Sequence, residues 1–543
     1  MTHTRTASQS DPTIAGPRTD VIQVLMGGKT YRSLSEQKLS PQEERFEKAR
    51  RRAGFVLAPV ISLLLWFLPL GIDGTQQRLA AVIVGVIVLW LCESVPIPVA
   101  GLIGVAAIVL TGVAPAGEVL APFGSTTIFT FIGAFILARA MLKHGVARRL
   151  AFWVLSIPGV AKSTIRIILA FGVVTCILSS FVSNTATVAM LVPTALGILA
   201  VIAKLLQDKG LVKPDFDPMR LRVGTALMLM LAYGASVGGI LTPVGAPPNL
   251  IGRGLIEELT GERIAFGQWV LAALPIAAGM FVLLAIILML INRPEVRRIE
   301  GVEEYIAEQR RTLGRISRAE WNTIIAFTVT VALWLVPSLM GLVLGAEHEL
   351  AVFLDDRLNE GIVAVVGASL LFVMPVSWRR QEATLEWGDA VRIDWGTILL
   401  FGTGMIFGAM LNSSGLADTI GNGLFDALGA TTPFAITALA VGLAILVSET
   451  TSNTAAAAVT VPIVVPLAIA AGVDPVVPAF AATLAASFGF MLPVSTPQNA
   501  IVYGTGCVPI TKMVRSGISF DILGGLLIVL LLPTLAGMVG IGG

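Results

Sequence analysis

Two short stretches of neutral oxygen donors interrupt an otherwise apolar chain. S-N-T-A-T-V-A-M-L-V-P occupies 183–193 and S-N-T-A-A-A-A-V-T-V-P occupies 452–462, identical at 7 of 11 positions, with a serine four residues before each at Ser179 and Ser448. Ser, Thr and Asn carry hydroxyl and amide oxygens on short side chains, and such donors suit a dehydrated hard monovalent cation when backbone carbonyls complete the set. The same residues are favoured helix N-caps, and a helix N-terminus with hydroxyl and amide donors attracts carboxylates and other oxyanions. Cation and anion held side by side would each lower the cost of desolvating the other. One copy alone reads equally well as the cap of a core helix; two copies with matched surroundings weigh against that.

Those surroundings include a proline break downstream of each motif, G-A-P-P-N at 245–249 and S-T-P-Q-N at 495–499. Proline frees backbone groups, and at membrane depth freed backbone is tolerated only where it lines a cavity or is buried in protein. The carbonyls at Gly245 and Ser495 would then complete the two oxygen sets. Glu449, beside Ser448, is an ionisable group in an apolar run, able either to hold a proton or steer a cation, or to be satisfied by backbone amides; the first copy has Ser180 in its place.

The elements that position these residues must lie in a bilayer. Of 543 residues 55% are hydrophobic and 13% charged, with a mean hydropathy of +0.84, against about 25% charged in water-soluble domains. That argues against a soluble enzyme and a nucleic-acid binder. Residues 1–53 and 292–320 together hold 29 of the 72 charges. Three cysteines imply no disulfide framework, and three scattered histidines imply no metal centre. The polar segment 1–53 lacks the pattern of a secretory signal and reads as a cytoplasmic tail.

Eleven apolar runs have the length of a crossing: 54–71, 79–97, 99–116, 126–142, 222–243, 266–291, 322–343, 360–378, 395–411, 476–493 and 518–541. Two longer runs, 163–206 and 432–472, are interrupted by the polar motifs and read as re-entrant helical hairpins. With a cytoplasmic N-terminus this count places the basic loops 143–149, 204–222, 293–318, 379–392 and 507–517 inside and the acidic loop 344–360 outside, as the positive-inside rule requires. The C-terminus falls outside. T-I-F-T-F at 127–131 and T-I-L-L-F at 397–401 extend the repeat at the same offset of 269 or 270, so two units of one duplication follow in order with opposite topology. The predicted fold class is an all-α integral membrane protein of about eleven transmembrane helices plus two re-entrant hairpins. Inverted repeats with paired broken helices are the signature of a secondary transporter, with its site between them.

The doubled S-N-T, the G-A-P-P-N and S-T-P-Q-N loops and the phrase P-V-S-T-P-Q-N-A-I-V-Y-G-T-G at 493–506 resemble those of the divalent anion:sodium symporters, a family of bacterial and animal dicarboxylate and citrate carriers. The resemblance spans roughly 54–541. It implies a first sodium site of Ser179, Ser183, Asn184 and Gly245, and a second of Ser448, Thr451, Asn453 and Ser495. It implies that substrate carboxylates meet Ser183, Asn184, Thr185, Ser452, Asn453, Thr454, Pro247 and Pro497. It further implies a homodimer in the cytoplasmic membrane, with sodium as coupling ion, no other cofactor and no nucleic-acid partner. A scaffold would comprise 54–150 and 322–430, joined through the charged linker 292–321 to a transport part of 160–291 and 432–541 that slides as an elevator. Ala246 and Gln498 depart from the family, which often has a threonine and a second proline there. The expected activity is sodium-coupled symport of C4 dicarboxylates; exchange, and citrate or sulfate as cargo, remain alternatives in the same fold. An intramembrane hydrolase would need a buried nucleophile–base pair, and a gated channel would need no duplicated cation set.

Overall fold

The computed structural model describes residues 41–208, 218–296, 301–345, 347–428 and 432–542. Most of the expected tail, residues 1–40, lies outside them, as do Lys209 and Lys213 of one expected inner loop. Among the described residues the chain is helical apart from a two-stranded ribbon, Pro375–Ser377 with Glu382–Ala383.

The helices run α1 Pro41–Phe67, α2 Gly74–Cys92, α3 Ile97–Leu110, α4 Thr126–Lys143, α5 Val146–Leu155, α6 Thr164–Ser179, α7 Asn184–Asp208, α8 Arg222–Gly239, α9 Pro247–Thr260, α10 Phe266–Ile291, α11 Val302–Thr312, α12 Arg318–Leu344, α13 Glu349–Arg357, α14 Glu360–Val373, α15 Trp395–Ser413, α16 Leu416–Leu428, α17 Pro433–Thr450, α18 Asn453–Ala470, α19 Val476–Ala485, α20 Pro497–Gly504 and α21 Ile510–Met538. One-turn helices at Ala116–Leu120 and Trp387–Ala390 sit in loops. Helix α1 begins at Pro41, so Arg50, Arg51 and Arg52, at the end of the expected cytoplasmic tail, stand on a helix.

Nine of these helices are long and apolar enough to cross a membrane, and α7, α17 and α18 are among them. The spans predicted at 126–142, 266–291 and 395–411 match α4, α10 and α15 closely. Local signals set the ends: the Asp73 carboxylate accepts from Thr75 N at 2.7 Å at the start of α2. Ser317 and Glu320 form a reciprocal capping box at the start of α12.

The duplication is visible in the order of elements: α4 to α10 is answered by α15 to α21. Packing is reciprocal. Helix α4 lies on α14 and α15 on α3; α9 lies on α18 and α20 on α7; α10 and α21 lie on each other. Lipid gives helices no hydrophobic reason to associate, so close approach of small residues must do it, as where Gly133 of α4 abuts Ala364 of α14. At the centre stands α8, buried at every position from Val223 to Gly239. Its counterpart α19 is almost as enclosed. Both stop in mid-path and resume as α9 and α20. Helix α9 is tied to α14 by a buried ion pair, Arg253 Nη1 and Nη2 donating to the two Glu360 oxygens at 2.5 and 2.9 Å.

Candidate functional site

Each polar motif sits at a chain reversal. Four residues, 180–183, join α6 to α7, and two, Thr451 and Ser452, join α17 to α18. Ser183 Oγ accepts from Ala186 N at 3.4 Å and Ser452 Oγ from Ala455 N at 3.2 Å, so both first serines cap the helices that follow. Capping is therefore one of their roles.

In each cluster one serine hydroxyl meets the asparagine oxygen, while the hydroxyls of Ser183, Thr451 and Ser495 turn to other partners. In the first cluster Ser179 Oγ donates to Asn184 Oδ1 at 2.6 Å; in the second Ser448 Oγ reaches Asn453 Oδ1 at 2.8 Å and Ala486 O at 2.8 Å. Asn453 Nδ2 donates to Ser487 O at 3.2 Å. Gly245 closes the first cluster with backbone alone. A Cβ placed there would lie 2.5 Å from Gly239 O, 2.9 Å from Ser180 O and 3.1 Å from Ser179 O, so three carbonyls converge on a position that only glycine leaves open. Ser495, in the matching place, turns its hydroxyl to Glu449, donating to Oε2 at 2.9 Å. Thr451 Oγ1 donates to Val447 O at 2.8 Å, back onto its own helix.

The breaks in α8 and α19 are held by one device used twice, which the sequence reading passed over. Asn249 Nδ2 donates to Gly239 O at 2.7 Å and Thr242 O at 2.8 Å; Asn499 Nδ2 donates to Gly489 O at 2.7 Å and Leu492 O at 3.0 Å. Each amide bridges a carbonyl near the helix end to one in the turn that follows, where Thr242 O and Leu492 O also accept from Gly245 N and Ser495 N, and a buried carbonyl left bare would cost about 1–3 kcal/mol. The signal was present as the asparagine that ends both proline loops.

Each cluster also joins two helix N-termini. Asn184 Oδ1 and Ala246 Cβ both border Gly239, which brings the start of α7 to the start of α9; Asn453 Oδ1 and Thr496 Cγ2 both border Gly489, which does the same for α18 and α20. Pro247 and Pro497 take the first helical positions, where proline costs no hydrogen bond. The clusters are linked to one another, since Gln498 Nε2 of α20 donates to Ser236 Oγ in the last turn of α8 at 3.1 Å.

Burial separates the two expected roles only in part, since Ser183 and Asn453, both expected in the sodium sets, are exposed and half-buried respectively. Ser179, Asn184, Gly245, Ser448, Thr451 and Ser495 are buried, whereas Ser183 and Pro497 are exposed and Thr185, Pro247, Ser452, Asn453 and Thr454 are partly so. Enclosed neutral oxygens beneath an accessible rim of helix N-termini can hold a small cation below and an oxyanion above.

Glu449, 4% exposed, is satisfied by backbone amides, though not those of its own hairpin: Oε1 accepts from Phe490 N at 2.5 Å and Met491 N at 2.9 Å, in the loop between α19 and α20. The sequence reading missed Asp521, an acid in the middle of the apolar helix α21. Its position alone was the signal.

The family model described as the sodium:sulfate symporter transmembrane region matches residues 49–540. Among curated proteins, the sodium-dependent dicarboxylate transporter SdcS of Staphylococcus saprophyticus is 30% identical over 481 residues, covering 88% of this chain and 90% of that protein. SdcS of Staphylococcus aureus is 29% identical over 484 residues, covering 88% and 89%. Among solved structures, the Alcanivorax borkumensis YdaH transporter aligns with 78% of this chain and 87% of that one at a TM-score of 0.47 and 15% identity. Neisseria gonorrhoeae MtrF aligns with 89% and 94% at 0.49 and 15%. With nearly its whole length matched by the family model and by relatives near 30% identity, the chain belongs to the sodium:sulfate symporter transmembrane-region family.

Proposed function

We propose that this protein is a sodium-coupled symporter of C4 dicarboxylates such as succinate, malate and fumarate in the cytoplasmic membrane. The carrying observation is the doubled arrangement Ser179–Asn184–Gly245 and Ser448–Asn453–Ser495, each beside two helix N-termini and joined by Gln498 and Ser236. Sodium binds the enclosed oxygens of each cluster. The substrate carboxylates bind above, to Ser183, Asn184 and Thr185 on one side and Ser452, Asn453 and Thr454 on the other, with Pro247 and Pro497 in contact. Asn184 and Asn453 serve both guests, offering the Oδ1 that meets the cluster serine to the cation and standing at the helix N-terminus that faces the anion, which couples the two occupancies. The name of the staphylococcal relatives supports the choice of cargo.

In this reading α6 to α10 and α17 to α21 move together against a scaffold of α1 to α4 and α12 to α16, in a homodimer with the N-terminus inside and the C-terminus outside. The reciprocal packing of the two units supports an inverted relation between them. Purified protein in liposomes is expected to take up labelled succinate under an inward sodium gradient and to stop when choline replaces sodium. Uptake indifferent to that replacement refutes the coupling, and competition by unlabelled citrate or sulfate ranks the alternative cargoes.

A further inference from the structure

The charged linker between the two units has no part in the transport reading, yet α11 within it is firmly docked. It packs against α5 and α7: Val302 and Ile306 are buried, and Tyr305 abuts Gly197 of α7. Its outer face, together with the segment 155–161 that ends α5 and follows it, encloses a cavity of about 620 Å³. Buried Leu155, Ala161 and Ile306 form an apolar floor, and exposed Arg310, Arg311 and Arg315 form a cationic rim.

The rim charges are not spent on the protein. Arg310 Nη1 donates to the neutral Ser156 Oγ at 3.2 Å, and the side chains of Arg311 and Arg315 make no ion pair among the described residues. Glu303, the acid on the lining, lies 3.9 Å from Lys162 Nζ. The lining positions 303, 306, 307, 310, 311 and 314 keep the spacing of one helix face, which leaves Glu304 and Glu308 outside it. The wall that carries Arg315 is fixed in advance. Arg149 of α5 donates to Gly314 O and Leu313 O, each at 3.0 Å, and its own charge is met by Glu320 at 2.7 Å. Exposed indoles mark the level of a membrane–water interface. Trp153 on α5 and Trp321 in the first turn of α12 are 60% and 52% exposed on the same two elements. A guanidinium fork matches phosphate oxygens in pairs, and the cytoplasmic leaflet is the anionic one. A free phosphate would leave the apolar floor wet, whereas a phospholipid brings an anion and a hydrocarbon chain together.

We propose that this cavity binds an anionic phospholipid, with the phosphodiester headgroup held by Arg310, Arg311 and Arg315 and the start of an acyl chain lying over Leu155, Ile157 and Ile306. The inference rests on the placement of 293–318 at the inner membrane face and uses neither the ion nor the cargo of the proposed symport.

The test measures binding of labelled short-chain phosphatidylglycerol to the purified full chain, freed of native lipid in a nonionic detergent. Saturable binding is expected that neither phosphatidylcholine of the same chain length nor inorganic phosphate displaces. Arg311→Gln with Arg315→Gln should raise the Kd about 30-fold, at about five-fold for each arginine beside an anionic headgroup. Arg379→Gln with Arg380→Gln, an exposed basic pair on another expected inner loop, should leave it unchanged. An unaltered Kd in the first pair overturns the proposal, and an equal loss in both pairs overturns it too by showing a diffuse attraction. Displacement by inorganic phosphate replaces the lipid with a free anion and overturns the assignment. If the double variant does not fold, Arg311→Gln alone carries the comparison with its five-fold change. Lipid binding that holds while uptake proves independent of sodium sinks only the symport reading, so the two failures are distinguishable.

Discussion

The two oxygen clusters agree in their donors and disagree in how they are anchored. Ser179 with Asn184 repeats as Ser448 with Asn453, and the carbonyl clamps of Asn249 repeat in Asn499 at almost the same distances. Around these constants the first unit uses only neutral groups: Thr242 Oγ1 donates to Ser180 O, and Ser180 Oγ to Cys176 O at 2.7 Å. The second unit anchors the corresponding loop on a carboxylate, through Phe490 N, Met491 N and the Ser495 hydroxyl. The donor set was therefore kept through the duplication while its support diverged. The divergence left the clusters electrostatically unequal, with the buried Glu449 carboxyl beside the second.

The strongest way to break this comparison is to remove the shared element. Asn184→Ala and Asn453→Ala are each expected to cut sodium-driven uptake by about 100-fold, since losing a buried partner of a charged guest costs about 3 kcal/mol. Both variants should still elute as folded protein in detergent. Full activity in either would remove the equivalence of the clusters and their assignment together.

A second experiment sharpens the difference. Gly245→Ala pushes a methyl into three converging carbonyls and should raise the sodium concentration for half-maximal uptake by about 10-fold or more, from overpacking of roughly 1–3 kcal/mol. Ser495→Ala adds nothing and removes one of three bonds to Glu449; the expected rise is about five-fold, for about 1 kcal/mol. Equal responses would mean that the clusters do not differ in the way the geometry indicates.

The smallest effect should come from the link between them. Gln498→Ala removes the bond to Ser236, and uptake should fall by about two- to five-fold, for a neutral hydrogen bond of about 0.5–1 kcal/mol. Its signature is a lower cooperativity of sodium activation, measured from the steepness of the sodium dependence.

Much of the fold was legible in the chain because each signal was local. A run of about 20 apolar residues has few options in a bilayer, so α4, α10 and α15 could be placed nearly to the residue. Direct repetition of S-N-T identified the paired reversals without any knowledge of packing. The amphipathic helices α5 and α16 escaped because they are shorter than a crossing, and the helical start at Pro41 escaped because its first turns are polar.

Sequence alone determined that this protein lies in a membrane, that it is built twice, and which neutral side chains recur in both copies, since composition and repetition are properties of the chain itself. Only tertiary structure decided which carbonyls surround Gly245, which amides hold Glu449, and that Asp521 is enclosed with neither carboxylate oxygen hydrogen-bonded among the described residues. Backbone groups look alike at every position of a sequence, and an acid's partner is set by which helices pack together, so neither could be read before the chain was folded.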